Sequence, residues 1–264
     1  TGRGSLADLN FSFTQHDFGC CFVSSAAKPM KKTTTLRITN REMSKNVTLD
    51  CLFERRPHLQ VQFNPVILKP QESVDVPIMF SPSEARVYSD VITFEVNSLY
   101  EVKLFVKGEG TNLDVGLLDA SADSVTFGAI TSGVEVMRSV WLLNRSKIPA
   151  NFQLVQSVDE SGSGNLSRHA VSFWPDSQHT LRPNERVKVD LRFQPSQRVE
   201  AFSESLKILT EDGRKRNLLS VSGACLSAEV RLDTSSLNFG VVTVGSSVTR
   251  KVRLLNAGDV GSKF

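Results

Sequence analysis

Three groups of residues in this chain could do chemistry, and their spacing decides whether they do. The first is a pair of glycine pairs: Gly128 with Gly133, and Gly240 with Gly245, each separated by four residues. A strand followed by G-x-x-x-x-G cradles a nucleotide phosphate when Lys and then Ser or Thr come next. The lysine must reach the β- and γ-phosphates, and the hydroxyl must ligate magnesium. Here Val134 and Ser246 stand at the lysine position, and no helical pattern follows to aim an N-terminus at an anion. Gly108-Glu109-Gly110 fails as a dinucleotide fingerprint for a similar reason, with Leu113 where a third glycine belongs. The glycines read instead as turn residues flanking a short strand.

The second group comprises the histidines and cysteines. His16, His58, His169 and His179 are scattered, and Cys20, Cys21, Cys51 and Cys225 form no C-x-x-C, so no metal-ligand spacing exists. His16 beside Asp17 could be an acid–base pair, but adjacent strand residues point to opposite faces of a sheet. The cysteines are expected to be free thiols acting as small apolar residues in a reducing compartment. With no G-x-S-x-G elbow either, no catalytic, cofactor or metal site is expected, and the chain is not expected to be an enzyme.

The third group is basic. Arg214, Lys215 and Arg216 follow the hairpin turn Glu211-Asp212-Gly213. Two readings stand side by side: a solvated turn that keeps a sheet edge soluble, or candidate protein-binding residues seeking an acidic partner. The polar segment Ser157–His169 reads as a mobile loop at one end of a sandwich, the place where binding residues usually sit.

Around these residues, the composition describes a folded chain of 264 residues with 40% hydrophobic and 22% charged side chains. A net charge of +3 is too mild for a nucleic-acid binder, and no apolar run nears the roughly 18 residues of a membrane span. A start at Thr1 suggests an excised piece of something longer. Sequons at Asn10, Asn46, Asn144 and Asn165 carry little weight in a chain rich in Asn, Ser and Thr.

An internal repeat organises the chain. Phe18-Gly19, Phe127-Gly128 and Phe239-Gly240 recur roughly 110 residues apart. In the second and third copies two leucines and an asparagine follow, ending at Asn144 and Asn256. The first copy reaches Asn40 after an insertion around Ser24 to Lys32. KPQESVDVPIMFSP from Lys69 matches RPNERVKVDLRFQP from Arg182, with Val74, Val76, Ile78 and Phe80 alternating like Val187, Val189, Leu191 and Phe193. Period two means a strand with one face in a core. Pro77, on the outward face, is expected at a sheet edge or bulge, and Trp141 in a core.

About seven strands per unit, with turns every 8 to 15 residues, predict tandem immunoglobulin-like β-sandwiches, an all-β fold. The expected modules are residues 1–110, 111–225, and an incomplete third at 226–264. Their links are too short to swing freely.

The ordered series F-G, V-x-V-G, L-x-N, K-P-x-E, F-x-P and G-x-G resembles the ASH domains (ASPM, SPD-2, Hydin), relatives of the major sperm protein fold. Phe239 to Gly245 with Leu254-Leu255-Asn256 fits best. Cys20-Cys21 and the insertion replace V-x-V-G in the first copy. The resemblance implies a non-enzymatic scaffold of the central-pair apparatus in motile cilia, in the cytoskeleton, with central-apparatus proteins and tubulin as partners and neither nucleic acid nor membrane. An extracellular or lumenal adhesion-type sandwich array is the alternative.

Overall fold

A computed structural model describes residues 6–25, 28–158, 160 and 162–263. The ends of the expected modules at 1–5 and 264, Ala26 and Ala27 of the expected insertion, and Asp159 and Ser161 of the polar segment lie outside them. In chain order the first strands are β1 (Leu9–Phe11), β2 (Gln15–Phe22), β3 (Lys32–Asn40), β4 (Val47–Cys51) and β5 (Leu59–Val61). Then come β6 (Val66–Leu68), β7 (Ser73–Phe80), β8 (Val87–Val96) and β9 (Tyr100–Thr111). The next are β10 (Val115–Leu117), β11 (Ser124–Thr131), β12 (Val136–Asn144) and β13 (Ala150–Gln156). A one-turn helix α1 (Asn165–Arg168) precedes β14 (Val171–Trp174), β15 (His179–Leu181), β16 (Arg186–Phe193), β17 (Val199–Thr210) and β18 (Lys215–Leu226). Finally β19 (Val230–Leu232) pairs with β20 (Leu254–Asn256).

The protein is all-β and immunoglobulin-like. One sandwich packs the sheet β1-β3-β7-β5 against β2-β9-β8-β4-β6, and a second packs β10-β12-β16-β14 against β11-β18-β17-β13-β15. The two orders are the same, strand for strand. Each sandwich has its own buried cluster, including Leu36, Ile78, Phe80 and Phe94 in the first and Leu142, Phe152, Leu191 and Phe193 in the second.

The F-G motif is a β-bulge. The parallel β2–β9 register jumps from Asp17↔Lys107 to Cys20↔Glu109, and β11–β18 jumps from Thr126↔Ser222 to Ala129↔Ala224. Two residues therefore face one on the partner strand, the definition of a bulge. Gly19 (φ 64°) and Gly128 (φ 75°) supply the left-handed backbone that a side chain resists. The residue opposite is also a glycine in both sandwiches. A Cβ on Gly108 would come within 2.7 Å of the Phe80 ring, so here the reason is space. Gly128, from the opening glycine pairs, is thus a backbone device.

The other two motifs lock together. In K-P-x-E, Glu72 N donates to Lys69 O and Glu185 N to Arg182 O, closing turns whose third residues, Gln71 and Asn184, have φ near 60°. Gln71 N donates to the Asn40 carbonyl and Asn184 N to the Asn144 carbonyl. Both asparagine side chains are fully buried. Asn40 Nδ2 donates to Lys45 O, Leu68 O and Lys69 O at 2.9–3.1 Å, and Asn144 Nδ2 donates to Ile148 O and Leu181 O. Leu68 and Leu181 belong to the opposite sheet, so each asparagine ties its two sheets together. Asn256 repeats the register, pairing with Val230 as Asn40 pairs with Leu9 and Asn144 with Val115. Its side chain is exposed, and its amide reaches Val260 O.

Three expectations change. Trp141 is not in the core: Val140 and Leu142 point inward and Trp141 is 47% exposed on the outer face. Pro77 sits in β7, an interior strand, but its N and O face the side where β5 has already ended, and its carbonyl accepts from Gln62 N. No ladder donor is missed there. The polar segment is anchored at its Asn165–Arg168 turn, because Leu166 is fully buried and Gln156 Oε1 accepts from both Leu166 N and Ser167 N.

Candidate functional site

The basic cluster forms at the end of the β17–β18 hairpin. Gly213 (φ 78°) closes the turn by donating its N–H to Thr210 O at 2.9 Å. Asp212 is buried beneath the turn, where Oδ1 accepts from Thr210 Oγ1 at 2.7 Å and from Arg214 N at 3.2 Å. Arg214, Lys215 and Arg216 are all exposed, but they are not equivalent. Arg214 Nε lies 3.2 Å from Asp212 Oδ2, so its charge is answered within its own turn. Arg216 turns back and donates to the Val115 carbonyl at the start of β10. Lys215 makes no side-chain bond among the described residues and carries the freest charge of the three.

The hairpin end is also not a free tip. Ser25, from the segment after β2, donates Oγ–H to the Asp212 carbonyl at 2.6 Å. That segment is the insertion seen in the sequence, and it joins the two sandwiches. Phe22, the last residue of β2, is 3% exposed and packs in the second sandwich's core; Met30 packs against both cores. Beside them Lys147 pairs with Glu109, whose carboxylate also accepts from Cys20 Sγ. The Lys147 ammonium, with the Cys20 thiol, holds the Glu109 carboxyl below its usual pKa.

A second feature escaped the sequence reading. His58 Nε2 lies 2.8 Å from Asp90 Oδ2, and Arg56 Nη1 donates to Asp90 Oδ1 at 2.5 Å; the Asp90 side chain is 4% exposed. In the second sandwich His169 Nε2 lies 3.6 Å from Glu204 Oε1. Asp90 and Glu204 occupy matching places, opposite Val106 and Val221. The pairs pin the chain ahead of β5 and ahead of β14 to the other sheet. His58 also packs against Tyr88 in a tilted arrangement and His169 stacks on Phe202, both with centroids at 4.4 Å. His58 and His169 lie 111 residues apart, close to the 109 between Phe18 and Phe127, which was the available signal.

His16 and Asp17 face opposite ways, as expected of adjacent strand residues. His16 lies between Phe13 and Phe18, and burial lowers its pKa. Asp17 turns to the other face, accepting from Gly19 N at 2.8 Å and pairing with Lys107 at 3.2 Å. The bond from Gly19 N is the main cause of its lowered pKa. All four cysteines are free thiols, and desolvation raises the pKa of each. Asn144, one of the sequons, is fully buried with its amide bonded inside, so the folded chain has no place there for a glycan.

Comparison with known proteins adds the following. Residues 7–109 match the model of the HYDIN/CFA65/VesB-like, Ig-like domain. The chain is 35% identical over 258 residues to the hydrocephalus-inducing protein of Mus musculus, and 34% identical over 256 residues to its Homo sapiens homologue. Each alignment covers 97% of this chain and 5% of the relative, so the chain spans about a twentieth of those proteins. Cilia- and flagella-associated protein 65 of Chlamydomonas reinhardtii is 27% identical over 88% of the chain and 10% of that protein. Among solved structures, the seventh PapD-like (ASH) domain of human CEP192 is similar at 18% identity and a TM-score of 0.34, covering 44% of this chain and 87% of that one.

Proposed function

Because the chain belongs, through residues 7–109, to the HYDIN/CFA65/VesB-like family of Ig-like domains, we propose that it is a non-enzymatic scaffold module of the ciliary axoneme. It holds other proteins in place in the central-pair apparatus of a motile cilium. The observation that carries this reading is the similarity to the hydrocephalus-inducing proteins, which runs over 97% of the chain and therefore across both sandwiches.

The joint supports it physically. A scaffold under bending load needs neighbouring modules that do not swing, and Phe22 and Met30 couple the two cores directly. In this reading residues 1–110 and 111–225 are consecutive modules of an array, and 226–264 opens the next. The partners are central-apparatus proteins and tubulin, met through Arg214, Lys215 and Arg216, and neither nucleic acid nor a membrane. Each contact is weak, and repetition along the array raises the total by avidity.

Immunogold labelling of demembranated axonemes with an antibody against this chain should decorate the central pair. Label confined to the outer doublets or to the cell surface would overturn the reading, and the surface result would favour the adhesion-type alternative.

A further inference from the structure

The chain has two tryptophans, and both stand on the same outer surface. Strand register lays that surface out in rows across β10-β12-β16-β14. Gly116, Leu143 and Arg186 form one row, and Trp141 and Lys188 are paired in the next. Ser139, Asp190 and Trp174 form the third, and Met137, Arg192 and Ser172 the fourth. Trp141 is 47% and Trp174 50% exposed, on opposite sides of the central strand β16. Half-exposed tryptophans on a rigid sheet are the side chains most often found as interface anchors.

The charge on this face is lopsided. Lys188 is answered by Asp190 at 2.9 Å and Arg192 by Glu135 at 2.7 Å. Arg186 has no side-chain ion pair among the described residues. Over β10, Arg145 Nη1 and Arg216 Nη2 each lie 3.7 Å from where a Gly116 Cβ would be, so their guanidiniums share one spot on this face. They donate to the carbonyls of Leu117 and Val115; Asp114 Oδ1, 3.9 Å from Arg145 Nη1, answers part of the Arg145 charge, while Arg216 and Arg186 have no carboxylate partner among the described residues. The surplus positive charge therefore lies at the Trp141 end.

The matching face of the first sandwich differs. It presents Thr33, Thr35, Arg37 and Thr39 opposite Met79, Pro77, Asp75 and Ser73. Its Arg37–Asp75 pair is closed by two bonds of 2.7 and 2.8 Å, and no aromatic side chain stands in these rows.

We propose that the outer face of β10-β12-β16-β14 is a docking surface for an extended acidic protein segment. Aliphatic side chains of that segment pack on Trp141 and Trp174, and its carboxylates meet Arg145, Arg186 and Arg216. The axonemal setting is not needed for this assignment, since it rests on the register, the exposure and the charge alone. The basic hairpin end is one border of a larger surface.

Since both tryptophans lie on this face, intrinsic emission of the full chain reports its occupancy. The probe is a synthetic peptide alternating glutamate with leucine, and the comparison is the same peptide with lysine for glutamate. The acidic peptide should give a saturable blue shift at low ionic strength. Arg186→Glu/Lys188→Glu should weaken it at least about tenfold, while Arg37→Ser on the first sandwich leaves it unchanged. Thermal melting verifies that each variant is folded; if the double reversal melts early, Arg186→Gln/Lys188→Gln takes its place. No saturable shift with the acidic peptide, an equal shift with the lysine peptide, or wild-type affinity in the charge variants would each overturn the assignment.

Discussion

The two sandwiches share one strand order, one bulge, one asparagine tie and one histidine–carboxylate tie, yet they are not equally locked. In the first, Asp90 is buried and held from two sides by His58 and Arg56. In the second, the matching Glu204 is 26% exposed, stands 3.6 Å from His169 and accepts its other bond from the neutral Asn165 amide instead of from a cation. The difference continues outside. The first presents a threonine-lined face with its Arg–Asp pair closed, and the second presents tryptophans and surplus cations. A fold can hold its inner ties constant while the price of each varies with how much water reaches it. The outer face, whose ion pairs are solvent-exposed and do not join the two sheets, is free to differ in chemistry.

This comparison can be broken spectroscopically, because the tryptophans belong to the second sandwich and the tyrosines, Tyr88 and Tyr100, to the first. The largest effect is expected from Phe22→Ala. It removes a ring that the first sandwich inserts into the second's core, at a cost of about 3 kcal/mol. Urea unfolding followed by tryptophan emission should shift to lower midpoint, although the substituted residue belongs to β2. An unchanged tryptophan transition would mean that the cores are not coupled.

Next comes the carboxylate tie. Asp90→Ala leaves His58 and Arg56 without their acceptor and should cost about 3 kcal/mol in the tyrosine-reported transition. Glu204→Ala, at a wetter site, should cost no more than about 1 kcal/mol. Equal costs would remove the contrast between the sandwiches. The asparagines sharpen it further. Asn144→Ala strands the buried Leu181 carbonyl and the part-buried Ile148 carbonyl and should cost about 2 kcal/mol. Asn256→Ala, at the same register with no opposite sheet to tie, should stay within about 0.5 kcal/mol. A large loss from Asn256→Ala would show that β19–β20 is packed far more firmly than its exposed side chains indicate.

Much of the backbone was legible in the residues, and the reason is local. F-G and K-P-x-E each report a constraint satisfied within a few residues, a left-handed φ and a turn with proline at its second position, whereas L-x-N shows only as a repeat because its buried amide is satisfied on the opposite sheet. Period two in Val187 to Phe193 gave the inward face directly. Trp141 was misread because Val140-Trp141-Leu142-Leu143 is apolar throughout, and a strand without alternation hides its phase. Pro77 was misread because sequence cannot say on which side a residue's N–H points. The joint was seen as an insertion, but Phe22 in a neighbour's core leaves no local pattern. The histidine–carboxylate ties were missed because their partners lie on different elements, and only the repeat interval links them. In the basic cluster, three like charges in a row concealed that two of them are engaged within the fold.

The smallest expected effect concerns that cluster, and the two hairpin ends frame it. The β8–β9 hairpin of the first sandwich turns through Asn97 and Ser98, both at positive φ and both uncharged. The β17–β18 hairpin carries three cations, but Asp212 answers Arg214 and the Val115 carbonyl holds Arg216. If the hairpin contacts microtubules, Lys215 should do most of it, because an exposed charge acts through its unscreened field. Lys215→Glu should lower co-sedimentation with microtubules about two- to threefold at low salt. The difference should fade at physiological salt, where the Debye length is about 8 Å. Stability should not move, since the Lys215 side chain has no bond to lose among the described residues. Arg216→Ala serves as the contrast: it releases the bond to β10, so it should lower the melting temperature as well as any binding. Equal binding by wild type and Lys215→Glu at low salt would clear the hairpin of the contact. No binding by either would assign the partner to a protein other than tubulin.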